Sequence, residues 1–480
     1  DLTSLVTRGD TTPAPLDLAR WWGSKSTEER AEWMPRQKHL RLLVLDGRIP
    51  LGSRLPAERE LAAGLGVSRT TVTATYGELR EAGYLTSVRG SGSVARLPGR
   101  APLSIDTATA GQLDFSKATV PASPLLAQAA VRAAARFPEV LGQSGFDPIG
   151  LPELREAIAA RYVLRGVATT PDQIMVTIGA QHAIALLARV IIARGDAVMV
   201  EAPSYPHAFE ALRGAGGRLM PVSVTSEDGW DHDALHQTLH RSSPSLAYLM
   251  PDFHNPTGQV MTAVDRERML DAAAARGTVV VADETMAELD IDQVDPPLPL
   301  PAYGEAVTIG SFGKSVWGGV RIGWIRARPS LIQKLVRARS AGDLGTPLLE
   351  QLIAIDVLAD YDEILAQRRV HLRAGRDHLE SALAHHLPEW TVPRVHGGLT
   401  TWIGLGHPVS SQLTLAARTE GLLLASGPRF GIDGAFERFL RLPFGHPPDE
   451  TDAAVEALAR AWARIARHPL PALDELADVI

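Results

Sequence analysis

The sequence predicts a multi-domain chain: a small N-terminal module of helices and one hairpin, then a large α/β body with a smaller C-terminal part. Three observations carry that expectation. The 480 residues exceed one ordinary domain of about 100–200 residues. Charge is unevenly spread, since residues 36–97 hold ten Lys/Arg against five Asp/Glu while the whole chain stands at −7. From about residue 113, short β-like runs such as IMVTIG, AVMVEA, SLAYLM, TVVVAD and AVTIGSF alternate with helical patterns. That alternation is the mark of an α/β architecture.

Composition narrows the field. Hydrophobic residues make up 45% of the chain, charged residues 21%, and the mean hydropathy is −0.01. This is enough apolar matter for a large core and excludes wholesale disorder. No run approaches the ~20 apolar residues a membrane helix needs. Cysteine is absent, which excludes disulfides, thiolate metal sites and a cysteine nucleophile. No metal site is expected. The N-terminus has no basic region followed by an apolar stretch, so no signal peptide is expected and a cytoplasmic location is. The first residue is Asp1 rather than Met, as in a processed or trimmed chain.

Residues 1–35 form an unassigned N-terminal arm. They hold three of the nine Trp, namely Trp21, Trp22 and Trp33, so part of the arm should pack on something. Residues 36–96 read as a compact unit. Leu40, Leu43 and Val44 have helical spacing. Pro56 opens a second helix with Leu61, Ala62 and Leu65 on one face. Gly66 permits a tight turn, and Ser68 suits the N-cap of a third helix. There Val72, Tyr76 and Leu79 recur at core-facing spacing, while Arg69, Thr70, Thr73 and Arg80 occupy another face. Gly83 ends that helix and LTSVRGSGSVA follows as a hairpin. Two helices joined by a glycine turn, the second presenting Arg and Thr, have the geometry that enters a DNA major groove. A basic module on an acidic body suits a phosphate-backbone partner.

The stretch GSRLPAERELAAGLGVSRTTVTATYGELREAGYLTSVRGSGSVA resembles the winged helix-turn-helix of GntR-type bacterial repressors. The resemblance implies DNA contacts from Arg54, Arg59, Arg69, Thr70, Thr73, Arg89 and Gly90. Residues 97–112, rich in Pro, Gly, Ala and Thr, read as a linker.

Four segments of the body carry chemistry. In the first, strand MVTIG runs into Gly179-Ala180-Gln181-His182 and a helix, which offers unpaired backbone N–H groups to a phosphate. In the second, Asn255-Pro256-Thr257-Gly258 closes a strand with a turn. In the third, TVVVADE puts Asp283 at the carboxyl end of a buried strand, where α/β sheets place their sites. A carboxylate there needs a cation or a donor, such as a protonated pyridine nitrogen. In the fourth, Lys314 follows a strand with Ser311 beside it and Arg321 seven residues on. A desolvated lysine can form a Schiff base, and Arg321 and Ser311 suit a phosphate.

That order, together with GLPELREAIAARYVLRGV, EAPSYP, HNPTG, SFGKS, GGVRIGW and the late RLPF, resembles the fold-type I aminotransferases over residues 113–470. The resemblance implies a pyridoxal 5′-phosphate-binding large domain over 113–329 and a smaller C-terminal α/β subdomain over 330–480. It implies that Lys314 forms the internal aldimine and that Asp283 keeps the pyridine nitrogen protonated. Asn255 would bond the ring hydroxyl, and Tyr205 would stack on the ring. Ala180, Gln181, Ser311 and Arg321 would bind the phosphate, and Arg441 would grip a substrate carboxylate. Where the family commonly has a tyrosine on the ring hydroxyl, this chain has Thr285, and Gly313 stands where relatives commonly have Ser. The shorter threonine should alter the aldimine and weaken transamination.

The two halves together resemble the MocR subfamily of GntR regulators. This implies a homodimeric transcription regulator that binds double-stranded operator DNA and senses an amino compound or pyridoxal phosphate through Lys314. A working aminotransferase with an N-terminal docking or autoregulatory module is the alternative.

Overall fold

A computed structural model of the chain describes residues 40, 55–65, 67–88, 92–95, 112–293, 297–432 and 434–466. The arm over 1–35, the linker as far as 111, Arg54, and the wing tip with Arg89 and Gly90 lie outside these residues. So does the expected first helix, apart from Leu40. The chain divides into two compact units, with the principal boundary between Gln112 and Leu113.

The N-terminal unit contains helices α1 (Glu58–Leu65) and α2 (Arg69–Glu81), then strands β1 (Leu85–Val88) and β2 (Gly92–Ala95). Ser68 caps α2, its hydroxyl accepting from Thr71 N–H at 3.1 Å. Val72, Tyr76 and Leu79 are buried on one stripe, as the spacing predicts. The Tyr76 hydroxyl donates to Pro56 O at 3.0 Å, tying α2 to the start of α1. The helix stops before Gly83, whose φ of +78° turns the chain into the hairpin. β1 and β2 pair antiparallel, Leu85 opposite Ala95 and Val88 opposite Gly92. Leu55 N–H donates to Ser93 O at 2.8 Å, which anchors the hairpin beside the helices.

The second unit is built on an eight-stranded sheet. Its strands are β4 (Ile174–Thr177), β5 (Ala197–Ala202), β6 (Arg218–Thr225), β7 (Gly229–Trp230), β8 (Leu246–Leu249), β9 (Val279–Asp283), β10 (Val307–Ser311) and β11 (Gly323–Arg326). A two-residue β3 (Leu113–Asp114) precedes them outside this sheet. The order is β4-β11-β10-β9-β8-β5-β6-β7, parallel except for β11 and β7. Such strands are covered on both faces, which is why they read as continuous apolar runs. Helices α3 (Pro124–Arg136), α4 (Pro152–Leu164), α5 (Ala180–Ile191), α6 (Pro206–Gly214), α7 (His232–Ser242), α8 (Ala263–Ala274), α9 (Phe312–Ser315) and α10 (Pro329–Arg339) accompany it. One core joins Leu187 of α5, Phe209 of α6 and Leu335 of α10 to Val198, Tyr248, Ile309 and Ile325. A second, on the other face, joins Leu235 of α7 and Met269 of α8 to Met199, Leu249 and Val280. Each such fully buried side chain contributes about 1.5–3 kcal/mol.

Beyond α10 come α11 (Leu348–Ala359), the long α12 (Tyr361–His386), β12 (Thr400–Gly404), α13 (Ser410–Thr419), β13 (Leu422–Leu423), β14 (Ala425–Ser426), β15 (Phe439–Pro443) and α14 (Pro448–Ala466). β12, β15 and β14 form an antiparallel sheet. The two-residue β13 and β14 are too short to leave a periodic signal in the sequence. β13 pairs parallel with β3, so residues 113–114 join the C-terminal part. Among the described residues no helix is long and apolar enough to cross a membrane.

Candidate functional site

The carboxyl ends of the parallel strands gather most of the expected residues. Asp283 ends β9 and pairs with Ile309 of β10. Ser311 ends β10 and pairs with Gly323 of β11, which in turn pairs with Thr177 at the end of β4. One edge of the sheet therefore holds the β4–α5 turn, Ser311 and Asp283 side by side.

The β4–α5 turn makes an anion cradle. Gly179 has φ +84°, in the region that favours glycine, and a Cβ there would lie 3.1 Å from a guanidinium nitrogen of Arg321. Arg321 itself sits in the left-handed region at φ +54° and donates to Ile178 O at 2.9 Å. Helix α5 starts at Ala180 with no side-chain cap, leaving its first N–H groups and positive dipole end to an anion. Gln181 donates to His207 O at 2.9 Å, while its Oε1 is buried without a partner. The Ser311 hydroxyl donates to Ile322 O at 3.1 Å and accepts from Gly313 N–H at 3.0 Å.

Lys314 lies on the single turn α9. Its Nζ donates to Ala118 O at 2.7 Å. Burial, aided by the nearby Arg441 cation and opposed by Asp283, brings the amine down to about 8. Asp283 is buried; its Oδ2 accepts from the Tyr248 hydroxyl at 2.7 Å and its Oδ1 from Thr285 N–H at 3.0 Å. Burial raises its carboxyl above the ordinary range, against the pull of Tyr248, Thr285 and Lys314. Tyr205 stands at the start of α6, half-buried, with its hydroxyl pushed up to about 12 by burial and by Asp283. Asn255 is buried and its Oδ1 has no partner.

Arg441 comes from β15, in the other sheet. It is buried over the Phe430 ring at 4.8 Å, donates to Ser116 O, and has an unpartnered Nε. Burial lowers its guanidinium to about 10. Tyr205 is close enough to Asp283, Arg441 and Arg321 to feel their charges. The donor set fits pyridoxal phosphate: an uncapped helix start with Arg321 and Ser311 for the phosphate, a buried carboxylate for the ring nitrogen, and an orphaned Asn255 acceptor for the ring hydroxyl. Thr285 lines a small polar cavity with Ser311, Tyr162, Arg165 and Glu284.

In the N-terminal unit Arg59, Arg69, Thr70 and Thr73 are all exposed. The Thr73 hydroxyl lies 2.8 Å from a Glu58 carboxylate oxygen and 2.9 Å from Arg69 O, so its single proton is taken up within the unit. Arg80, expected on the same face, instead bonds Ser93 at 3.1 Å and pairs with Glu58 at 3.4 Å. Tyr248 is a residue the sequence reading does not single out. Its only signal is a polar tip within the apolar run SLAYLM, one strand from Asp283.

Comparison with known proteins matches residues 109–458 to the family described as aminotransferase class I and II. Residues 37–94 match the bacterial regulatory proteins of the gntR family. The chain is 33% identical to a 2-aminoadipate transaminase of Thermus thermophilus over 59% of this chain and 73% of the relative. It is 31% identical to the probable rhizopine catabolism regulatory protein MocR of Rhizobium meliloti over 73% of this chain and 77% of the relative. Among solved structures, it is similar to LysN, an alpha-aminoadipate aminotransferase of Thermus thermophilus complexed with N-(5′-phosphopyridoxyl)-L-leucine. There the TM-score is 0.67 at 30% identity, covering 75% of this chain and 94% of that one.

Proposed function

Because the chain belongs to the aminotransferase class I and II family and carries a GntR-type DNA-binding domain ahead of that body, we propose that it is a transcription regulator controlled by a small amino compound, or by pyridoxal phosphate itself, at Lys314. What supports this reading is Lys314 within electrostatic reach of Asp283, beside strand ends that also carry Ser311 and the Arg321 cradle, in a chain that also has a helix-turn-helix. Pyridoxal 5′-phosphate is the cofactor of this body and supplies an aldehyde and an electron-withdrawing ring.

The protein's own groups do the rest. Lys314 offers an amine whose proton is readily lost. Asp283 holds a proton at the ring nitrogen, Asn255 accepts from the ring hydroxyl and Tyr205 covers the ring. Ala180, Gln181, Ser311 and Arg321 hold the phosphate, and Arg441 orients the carboxylate of the incoming amine. Thr285 reaches less far than a tyrosine would, which favours binding over turnover. Changes at this site alter the closure of the C-terminal part (330–480) on the large domain (113–329), and DNA binding by the reading head (36–96) responds.

We further propose that the chain is a cytoplasmic homodimer on two operator half-sites. Support comes from Leu141, Phe146 and Leu344, large apolar side chains left exposed, with Asp147 O packed against Gly345 beside them. Operator contacts are assigned to Arg54, Arg59, Arg69, Thr70, Thr73, Arg89 and Gly90. A working aminotransferase is the second reading, favoured by the intact lysine, aspartate and arginine set.

Borohydride reduction of the cofactor-loaded protein, followed by peptide mapping, should place a pyridoxyl group on Lys314. Gel shifts with operator DNA should respond to an amine. A label elsewhere refutes the site. Steady transfer of amino groups at ordinary enzyme rates, with DNA binding indifferent to the amine, favours the enzyme.

A further inference from the structure

His182 closes the motif that opens α5, and the reading above gives it no task. It is the third residue of that helix, after Ala180 and Gln181, and is half-buried. Its Nδ1 accepts from Ile178 N–H at 3.1 Å. This is the reach-back of a capping box, carried one residue further upstream. Its Nε2 lies 2.9 Å from Asp343 Oδ2. A ring nitrogen that accepts carries no proton, so the imidazole is neutral, with its hydrogen on Nε2 and donated to Asp343. Burial lowers the ring below its ordinary range, against the pull of Asp343 and with help from the Arg339 and Arg189 cations, which keeps it in that form at neutral pH.

Asp343 is itself firmly held. Its Oδ1 accepts from Arg339 Nε at 2.7 Å and from Gly345 N–H at 2.9 Å. Arg339 is fully buried and donates in turn to Val176 O at 2.7 Å and to Pro148 O at 3.0 Å. The β4–α5 turn is fastened at two further points. Arg321 donates to Ile178 O at 2.9 Å, and the Thr177 hydroxyl donates to Gly179 O at 3.0 Å. In a trans peptide the N–H points opposite to the C=O. Those two carbonyl bonds therefore aim the N–H groups of Gly179 and Ala180 the other way. The preceding peptide, between Thr177 and Ile178, is set by His182. Gly179, at φ +84°, is the loose joint that these bonds restrain.

We propose that His182 is a positioning residue of the phosphate cradle. Its bond to Ile178 N–H fixes the backbone that leads into Gly179. The N–H groups at the start of α5 then meet the cofactor phosphate already ordered, which spares the entropy of ordering them on binding. His182 acts through the backbone rather than by touching the phosphate. This rests on the assignment of the phosphate to the β4–α5 turn.

The test compares pyridoxal 5′-phosphate with pyridoxal, which has the same ring and aldehyde but no phosphate. Affinities of the full chain are read by equilibrium absorbance titration, which needs no turnover. His182→Phe keeps a ring in place and removes the acceptor. It should weaken the phosphate ester about 10-fold or more, as expected for a buried donor left unpaired, and change pyridoxal by less than about twofold. His182→Asn, whose Oδ1 can accept in place of Nδ1, should recover all but about threefold. A phosphate preference in His182→Phe equal to that of the unaltered chain overturns the positioning role. So does an equal loss for both ligands, or a His182→Asn that loses as much as His182→Phe. If the unaltered chain itself shows no preference for the phosphate ester, the cradle assignment and this proposal fall together. Should His182→Phe fail to fold, magnetic resonance of isotope-labelled histidine in the cofactor-loaded chain takes its place. The signal that His182→Asn removes should report a proton on Nε2 and none on Nδ1, and a proton on Nδ1 overturns the proposal.

Discussion

Lys314 holds a proton less firmly than a surface lysine, because its amine has lost water and faces Arg441. Below about pH 8 it is mostly cationic, whereas an exposed lysine stays so to about 10.4. Only the neutral amine attacks an aldehyde. The rate of cofactor uptake by stripped protein should therefore climb roughly tenfold per pH unit below 8 and level off above it. Stopped-flow absorbance checks this, and a rise continuing to pH 10 would contradict it. Between about 8 and 10.4 the folded chain binds fewer protons at this residue than the unfolded chain, so its contribution to stability increases with pH across that window. Tyr248 acts one residue further out. Its hydroxyl donates to the buried Asp283 at 2.7 Å. Tyr248→Phe should raise the Asp283 carboxyl further and weaken cofactor binding about 10- to 100-fold, as expected for a lost bond to a charged group. Equilibrium titration of the cofactor reads that loss.

At the level of elements, β10 and β11 owe their close pairing to Gly310. A Cβ there would lie 2.2 Å from the Trp324 ring. The indole cannot retreat freely, because its N–H donates to the Tyr162 hydroxyl at 3.2 Å and its ring meets Phe312 edge-on. Gly310→Ala should cost about 1–3 kcal/mol through overpacking. Gly142→Ala, which meets nothing within 4 Å, should stay within about 0.5 kcal/mol. Urea melts of the two variants side by side test the contrast. In the N-terminal unit, Glu58 on α1 holds both Thr73 and Arg80 of α2, so the helix pair is locked by polar as well as apolar contacts.

For the whole molecule, the division into two units implies that DNA binding and cofactor binding can be impaired separately. Arg69 is exposed on α2, and no hydrogen bond or ion pair engages its guanidinium among the described residues. Arg69→Ala should lower operator affinity about 5- to 150-fold for a base contact. For a phosphate contact it should instead flatten the salt dependence by about one counterion. The cofactor spectrum should be unchanged in either case. Fluorescence anisotropy at several salt concentrations, with absorbance recorded in parallel, distinguishes these outcomes. Loss of both functions together would refute separability.

Local physics accounts for what could be read without coordinates. A glycine turn opening a helix, an aspartate ending an apolar strand and a serine capping α2 each need only their near neighbours, so Gly179, Asp283 and Ser68 announce themselves in the string. The order of Ala180, Asn255, Asp283, Lys314 and Arg321 was legible for the same reason. Partnerships across the fold were not. Tyr248 reaches Asp283 through the parallel register of β8 and β9, 35 residues apart in sequence. Arg441 meets Ser116 across 325 residues, by way of a second sheet. Thr73 and Arg80 turn toward Glu58 because α1 and α2 pack, which helical spacing alone cannot say. Spacing along a chain encodes which face a side chain takes, but the charge it finally faces is decided by which other elements close over it.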